Sequence, residues 1–261
     1  MRVVVKIGTS NITHPTGQLN IRHMEELCKI ISDIKNSGAE VIVVSSGATA
    51  MGVGKLNLPE KPADMPGKQA CAAVGQCELM YTYDKLFSEY NHTVAQILLT
   101  RDDFKNKTRH RNFTNTIERL LALGALPIIN ENDTVSTVEY GVGDNDTLGA
   151  LVATGVGADL LVLLSDVDGL YTADPRKDPD ARLIAKVEVL TEEIMALGGG
   201  KGSKLGTGGM ATKLGAAKTC MEAGTDMVIM NGSRLELLYD AVEGKPAGTL
   251  FVGKHCYCNK N

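Results

Sequence analysis

Apolar positions along the chain follow two rhythms in turn. Short β-branched runs at Arg2–Ile7, Glu40–Ser45, Thr93–Leu99, Ala125–Ile129, Asp159–Ser165 and Asp226–Met230 carry hydrophobic residues almost without interruption. Such runs read as strands covered on both faces. Between them the apolar residues recur at helical spacing. Met24, Leu27, Ile30, Ile31 and Ile34 mark a helix over Ile21–Lys35, and Arg109–Leu123 and Asp144–Val156 carry similar patterns. Val187–Leu197 also reads as helical. Strands that alternate with helices imply an α/β fold, a mainly parallel sheet with helices on both faces. In such sheets ligands bind beyond the carboxyl ends of the strands, so the loops that follow the strands are where chemistry is expected.

Those loops are rich in small and polar residues. Lys6-Ile7-Gly8-Thr9-Ser10 follows the first strand and Ser45-Ser46-Gly47-Ala48 the second. Asn130-Glu131-Asn132-Asp133 follows the fourth, and Ser165-Asp166-Val167-Asp168-Gly169 the fifth. A merely solvated edge would be polar too, but it would not also supply glycines and a strand-end lysine. Gly198–Gly202 reads as a flexible loop rather than a linker. Thr172–Asp180, with two prolines and several charges, reads as an exposed loop that could close over a ligand. No internal repeat is evident.

Composition narrows the classes. A chain of 261 residues, 43% hydrophobic, suits one large α/β domain or one domain of two lobes, with a core that needs no disulfide or metal staple. A formal net charge of −4 argues against non-specific nucleic-acid binding. The longest apolar run, near Leu160–Leu164, is far short of a membrane span, and Met1–Lys6 reads as a strand and not as a signal peptide; a cytoplasmic location is expected. Six cysteines, at 28, 71, 77, 220, 256 and 258, show no C-x-x-C pair, and His255-Cys256-Tyr257-Cys258 sits in a polar tail ill suited to a rigid metal site. No structural metal is expected.

Three groups of residues carry candidate chemistry. Gly206–Lys213 (GTGGMATK) opens an apparent helix: glycines let backbone approach phosphate, free N–H groups at a helix start attract anions, and Lys213 lies one turn in. The same segment fits G-x-G-x-x-A, but a dinucleotide site needs a preceding strand, where Val187–Leu197 reads as helix; the bland alternative is a glycine-rich turn. Lys6, at the tip of a buried strand, is costly to bury without an anion, unless it snorkels to solvent. Two such lysines are what phosphoryl transfer to a carboxylate requires, because attacking group and γ-phosphate are both anionic. Asp133 with Asp144-Asn145-Asp146 forms the third group. Asp and Asn cap helices, yet three polar residues in succession exceed one cap, and carboxylates and amides are natural partners of an amino-acid substrate.

Taken together, the motifs VVKIGTS (4–10), VSSGA (44–48), QACAAVGQ (69–76), INENDTV (129–135), GDND (143–146), DVDGLYT (166–172) and 206–213 resemble the amino acid kinase family, closest to its glutamate-phosphorylating branch. Thr9-Ser10 after Gly8 fits that branch. The resemblance implies a three-layer α/β/α sandwich forming a single domain over residues 1–253, with glutamate in the N-terminal half and ATP in the C-terminal half. Residues 254–261 form a polar tail. Many relatives add a C-terminal RNA-binding-type PUA module, which is expected to be absent here. Carried over, Lys6 and Lys213 flank the transferring phosphoryl group and Asp146 orients them. Ser46, Asn130, Asp133, Asp144 and Asn145 hold glutamate. Lys6, Gly8, Ser165, Asp166, Thr207, Gly208, Gly209, Met210, Ala211, Thr212 and Lys213 hold ATP, which brings its own Mg2+ without a protein metal site. The implied product is glutamyl 5-phosphate, the first intermediate from glutamate to proline, passed to a reductase. Proline as feedback inhibitor and a homodimer or homotetramer are further implications, with no nucleic-acid or membrane partner. Gly141-Val142-Gly143 stands where relatives often place an aromatic residue.

Three other readings remain at this level: another carboxylate or carbamate kinase of the same fold, a non-catalytic amino-acid or nucleotide sensor, and a dinucleotide-dependent reductase. Two transition-state cations speak against a sensor, and the reductase rests on one short motif.

Overall fold

A computed structural model of the chain describes residues 1–135, 145–199 and 209–253. Along the chain lie β1 (Arg2–Ile7), α1 (Ile21–Asn36), β2 (Glu40–Ser45), α2 (Ala48–Lys55), α3 (Met65–Ser88), β3 (Val94–Leu99), α4 (Arg101–Lys105), α5 (Lys107–Ala122) and β4 (Leu126–Glu131). Then come α6 (Asn145–Gly155), β5 (Leu160–Ser165), β6 (Lys186–Val187), α7 (Glu192–Ala196), α8 (Met210–Ala223), β7 (Asp226–Asn231), α9 (Leu237–Val242) and β8 (Thr249–Phe251). Among the described residues the strands form one sheet in the order β3-β4-β2-β1-β5-β7-β8-β6, parallel except for β7 against β8. No helix among them is long and apolar enough to cross a membrane.

The alternation of side chains along each strand divides the core in two. Val3, Val5 and Ile7 of β1 pack with Met24, Leu27 and Ile31 of α1, Leu79, Tyr83 and Phe87 of α3 and Leu238 of α9. Val4, with Ile42, Ile129 and Leu161 of neighbouring strands, packs with Ile117 of α5, Leu148 and Val152 of α6 and Leu214 and Ala217 of α8. Both faces are thus covered, as the uninterrupted apolar runs require. Lys6, two positions on from Val4, shares its face and therefore points at α6 and α8.

The chain leaves β1 for β2, β4 and β3 on one side of the sheet, then returns to place β5 on β1's other flank. This reversal is a topological switch point, where the crevice beyond the strand ends opens.

Two details differ from the sequence expectation. β4 runs on through Asn130 and Glu131, which pair with Leu98 and Leu99 of β3, so these two polar residues sit in a strand end rather than a free loop. Val187–Leu197 is not one helix. Lys186–Val187 add to the sheet beside β8, and only Glu192–Ala196 coil, capped by the Thr191 hydroxyl, which accepts from Ile194 N–H at 3.3 Å. The sheet edge offered by β8 captures backbone that helical spacing alone would assign elsewhere. The loop at 172–180 is irregular and largely exposed, and its neck is tied by Thr172 and Arg182, the Arg182 N–H donating to the Thr172 hydroxyl at 3.0 Å.

Candidate active site

Lys6 from β1, Lys213 from α8 and Asp146 from α6 converge beside the switch point. Lys6 Nζ lies 2.6 Å from Asp146 Oδ1, and Lys213 Nζ lies 2.9 Å from Oδ2. Relative exposures of 7% for Lys6, 5% for Lys213 and 0% for Asp146 make this a buried +1 cluster, which persists because each charge has a partner. Gly149 on α6 lies against the Lys6 stem, where a Cβ would stand 3.4 Å from Lys6 Cβ, so the small residue brings the helix onto the strand. The single proton of the Thr212 hydroxyl is shared between Asp146 Oδ2 at 3.0 Å and the Gly209 carbonyl at 2.7 Å, which sets the first turn of α8 beside the same carboxylate. Burial alone would push the Asp146 carboxyl up; the two ammonium groups outweigh it and hold it below the ordinary aspartate value.

Asn145, one residue before Asp146, organises the opposite side. The two N–H groups of its Nδ2 are shared among three acceptors within reach, the Ser45 carbonyl at 2.8 Å, the Ser46 hydroxyl at 2.7 Å and Asn130 Oδ1 at 3.1 Å. Asn130 in turn donates from Nδ2 to Gln76 Oε1 of α3 at 2.9 Å. Gly47, at φ 95°, makes the left-handed turn that swings the chain from β2 into α2, leaving Ser46 and the start of α2 facing the cleft. Asp133 stands just beyond β4, half-buried. Burial, reinforced by the neighbouring Glu131 charge and only partly offset by Lys61, pushes its carboxyl up to about 6.

These groups line one cleft of about 500 Å³, walled by Lys6, Gly8, Ser46, Asn130, Asp133 and Asn145 on one flank and Ser165, Asp166 and Lys213 on the other. The Ser165 hydroxyl donates to Asp166 Oδ1 at 3.2 Å, and the Ser165 carbonyl accepts from Gly232 N–H at 2.7 Å, tying the ends of β5 and β7 together. Asp168 strengthens that tie by accepting from Asn231, Tyr171 and Arg234, each at 3.0 Å. These partners, Asn231 first, hold its carboxyl below the usual range.

Of the residues singled out from sequence, Lys6, Gly8, Ser46, Asn130, Asp133, Asn145, Ser165, Asp166 and Lys213 share this cleft, and Asp146 lies directly beneath it. Gly209 caps α8, Thr212 reaches Asp146, and Met210 packs against the core on that side of the sheet; with Ala211 they are not among the cleft-lining residues. Asp144, Thr207 and Gly208 lie outside the described residues, as do 254–261. Sequence reading assigned no site role to Gln76, Lys61 or Glu131. Gln76 sits within the resembling segment 69–76, which is the one signal that could have raised it. Among the described residues the cleft gathers no group of three metal-ligating side chains, but Ser165 and Asp166 offer oxygens. That donor set fits Mg2+ carried on nucleotide phosphates.

Comparison with known proteins places this geometry in a lineage. The chain is 50% identical over 257 residues to "Glutamate 5-kinase" of Clostridium perfringens, covering 97% of this chain and 96% of the relative. It is 53% identical over 249 residues to "Glutamate 5-kinase" of Clostridium tetani, covering 95% and 93%. Among solved structures, "Carbamate kinase from Giardia lamblia bound to AMP-PNP" superposes with a TM-score of 0.70 over 97% of this chain and 98% of that one, at 20% identity, a likeness of fold. Residues 1–231 match the sequence model of the Amino acid kinase family. With its sheet between two helical layers, its paired lysines and these relatives, the chain belongs to the amino acid kinase family, on its glutamate 5-kinase branch.

Proposed function

We propose that the chain catalyses ATP-dependent phosphorylation of the γ-carboxylate of L-glutamate to L-glutamyl 5-phosphate, the first step from glutamate to proline. The observation that carries this reading is the pair of buried lysines clamped by Asp146, 2.6 and 2.9 Å away, beside a polar lattice suited to an amino acid. A γ-carboxylate oxygen attacks the γ-phosphorus of ATP. The bond from phosphorus to the oxygen bridging the β- and γ-phosphates breaks, and ADP departs with that electron pair. No proton need move. The obstacle is the repulsion of two anions, which Lys6 and Lys213 offset from fixed positions. Ser46, Asn130, Asp133 and Asn145 hold glutamate, with Asp144 beside them in sequence. Gly8, Ser165, Asp166 and the segment 207–213 hold ATP. Ser165 and Asp166 are the residues that would hold Mg2+ arriving with ATP, which would supply charge neutralisation at the phosphates. The N-terminal half thus takes glutamate and the C-terminal half ATP, within a single domain over residues 1–253.

The product is an acyl phosphate, which hydrolyses readily and suits direct hand-over to a reductase. Proline inhibits by competing with glutamate. The enzyme works in the cytoplasm as a homodimer or homotetramer; the half-exposed edge strand β3 favours assembly. The test is glutamate-dependent ADP release with hydroxylamine trapping. γ-Glutamyl hydroxamate, with little product from aspartate or N-acetylglutamate, supports the assignment; equal turnover of either rival acceptor defeats it.

A further inference from the structure

With the cleft read as a glutamate site, the end of the substrate that does not react also needs a group to recognise it. Glutamate brings an ammonium and two carboxylates. The γ-carboxylate faces Lys6 and Lys213, and the ammonium faces Asp133. The α-carboxylate remains; the Ser46 hydroxyl can donate to it, but a carboxylate taken from water without a cationic partner is costly.

Among the described residues lining the cleft, three are cationic: Lys6, Lys213 and Lys61. The first two are held on Asp146 at the phosphoryl centre. Lys61 belongs to the other end, on the connection between α2 and α3, close enough to Asp133 for its charge to pull that carboxyl down. This connection is shaped by its own chemistry. Asp64 caps α3, accepting from Gly67 N–H at 2.8 Å, and the Leu58 N–H bonds back to the Val53 carbonyl at 3.1 Å. Pro62 follows Lys61 directly, and a residue before proline is pressed into extended backbone. The lysine is therefore presented at the cleft mouth on a short, pinned segment, with an exposed side chain free to settle on an anion.

We infer that Lys61 recognises the α-carboxylate of glutamate, so that Asp133 and Lys61 together read the α-amino-acid end while Lys6 and Lys213 read the γ end. Such a pair demands both charges on one carbon and discriminates against acceptors that have lost either.

The test compares glutamate with its α-amide, which keeps the ammonium and the γ-carboxylate but lacks the α-charge. In the wild-type enzyme the α-amide is expected to show a KM about tenfold above that of glutamate, the scale of one charge-assisted contact. Lys61→Gln raises KM for glutamate by about the same factor, leaves the α-amide where it was and so abolishes the preference, with KM for ATP unmoved. Lys61→Arg restores most of the preference. If Lys61→Gln weakens both acceptors equally, Lys61 acts only through the Asp133 charge and the inference fails; it fails equally if glutamate KM does not change. A wild-type enzyme that turns over neither acceptor overturns the glutamate assignment itself, before any variant is made.

Discussion

Two ammonium groups within 3 Å of a single carboxylate make Asp146 the residue on which the site depends. Asp146→Asn keeps the shape, removes the charge and leaves two lysines repelling each other in a buried place. We expect a stability loss of about 3–5 kcal/mol, the cost of breaking a buried ion cluster by one member, read as a lowered melting temperature. Activity is expected to fall by about 10²–10³-fold, since the cations are no longer aimed. Lys213→Ala should lose activity on the same scale; unchanged turnover would remove it from the mechanism. Asp133 gives a pH prediction. Its carboxyl is pushed up to about 6, so its anionic fraction drops as pH falls through that value, and with it the proposed partner of the substrate ammonium. KM for glutamate should rise below about pH 6, KM for ATP should show no matching inflection, and Asp133→Asn should erase the inflection. Much of this was legible from residue types: a lysine at a strand tip and another at a glycine-led helix start are conspicuous. The partnership itself was not, because Lys6 and Asp146 meet only through the fold, and the resemblance supplied Asp146's role. Lys61 left no signal, being an ordinary charge in a proline-containing loop.

At the level of elements, the crossing of α2 and α3 decides how the cleft floor is built. A side chain on Gly52 would run into the backbone of Cys71, and one on Gly75 into that of Ala48, so two glycines let the helices meet backbone to backbone. Gly75→Ala forces them apart and should cost about 1–3 kcal/mol by overpacking. Because the start of α2 lines the cleft, glutamate KM should worsen together with the melting temperature; a variant of wild-type stability and KM would show that the crossing has slack. This is also where sequence reading fell short. The 24-residue α3 buries Cys71 and Gly75 under α2 but Leu79, Tyr83 and Phe87 under the sheet, so no single stripe marks it. The strands β1 and β2 were readable to the residue because their burial is set by the strand itself, covered on both sides. By contrast, β6 and β8, of two and three residues, exist only by pairing with neighbours.

The whole molecule is organised around the reversal of strand order at β1, which brings the flank proposed for the acceptor and the flank proposed for the nucleotide to one crevice. Ligands that bind only the folded state stabilise it, by about 2.7 kcal/mol at a hundred times Kd. Glutamate and Mg-ATP should therefore each raise the melting temperature, measured with a non-hydrolysable nucleotide to prevent turnover. Light scattering in solution is expected to give twice or four times the chain mass of 27.8 kDa; a monomer that retains full activity would discard assembly as a requirement. The adjacency of Asn145 and Asp146 has a consequence of another kind. Asn145 ties Ser46 and Asn130 together and Asp146 holds Lys6 and Lys213, so on the proposed reading the acceptor-side lattice and the cations at its reactive end are spaced by neighbouring residues at the start of α6. On that reading the helix acts as a fixed calliper, and aspartate, a methylene shorter, is expected to fall short of one jaw. Redesign for a shorter or longer acceptor would have to slide α6 along the sheet, because trimming the walls leaves the gap between the jaws unchanged.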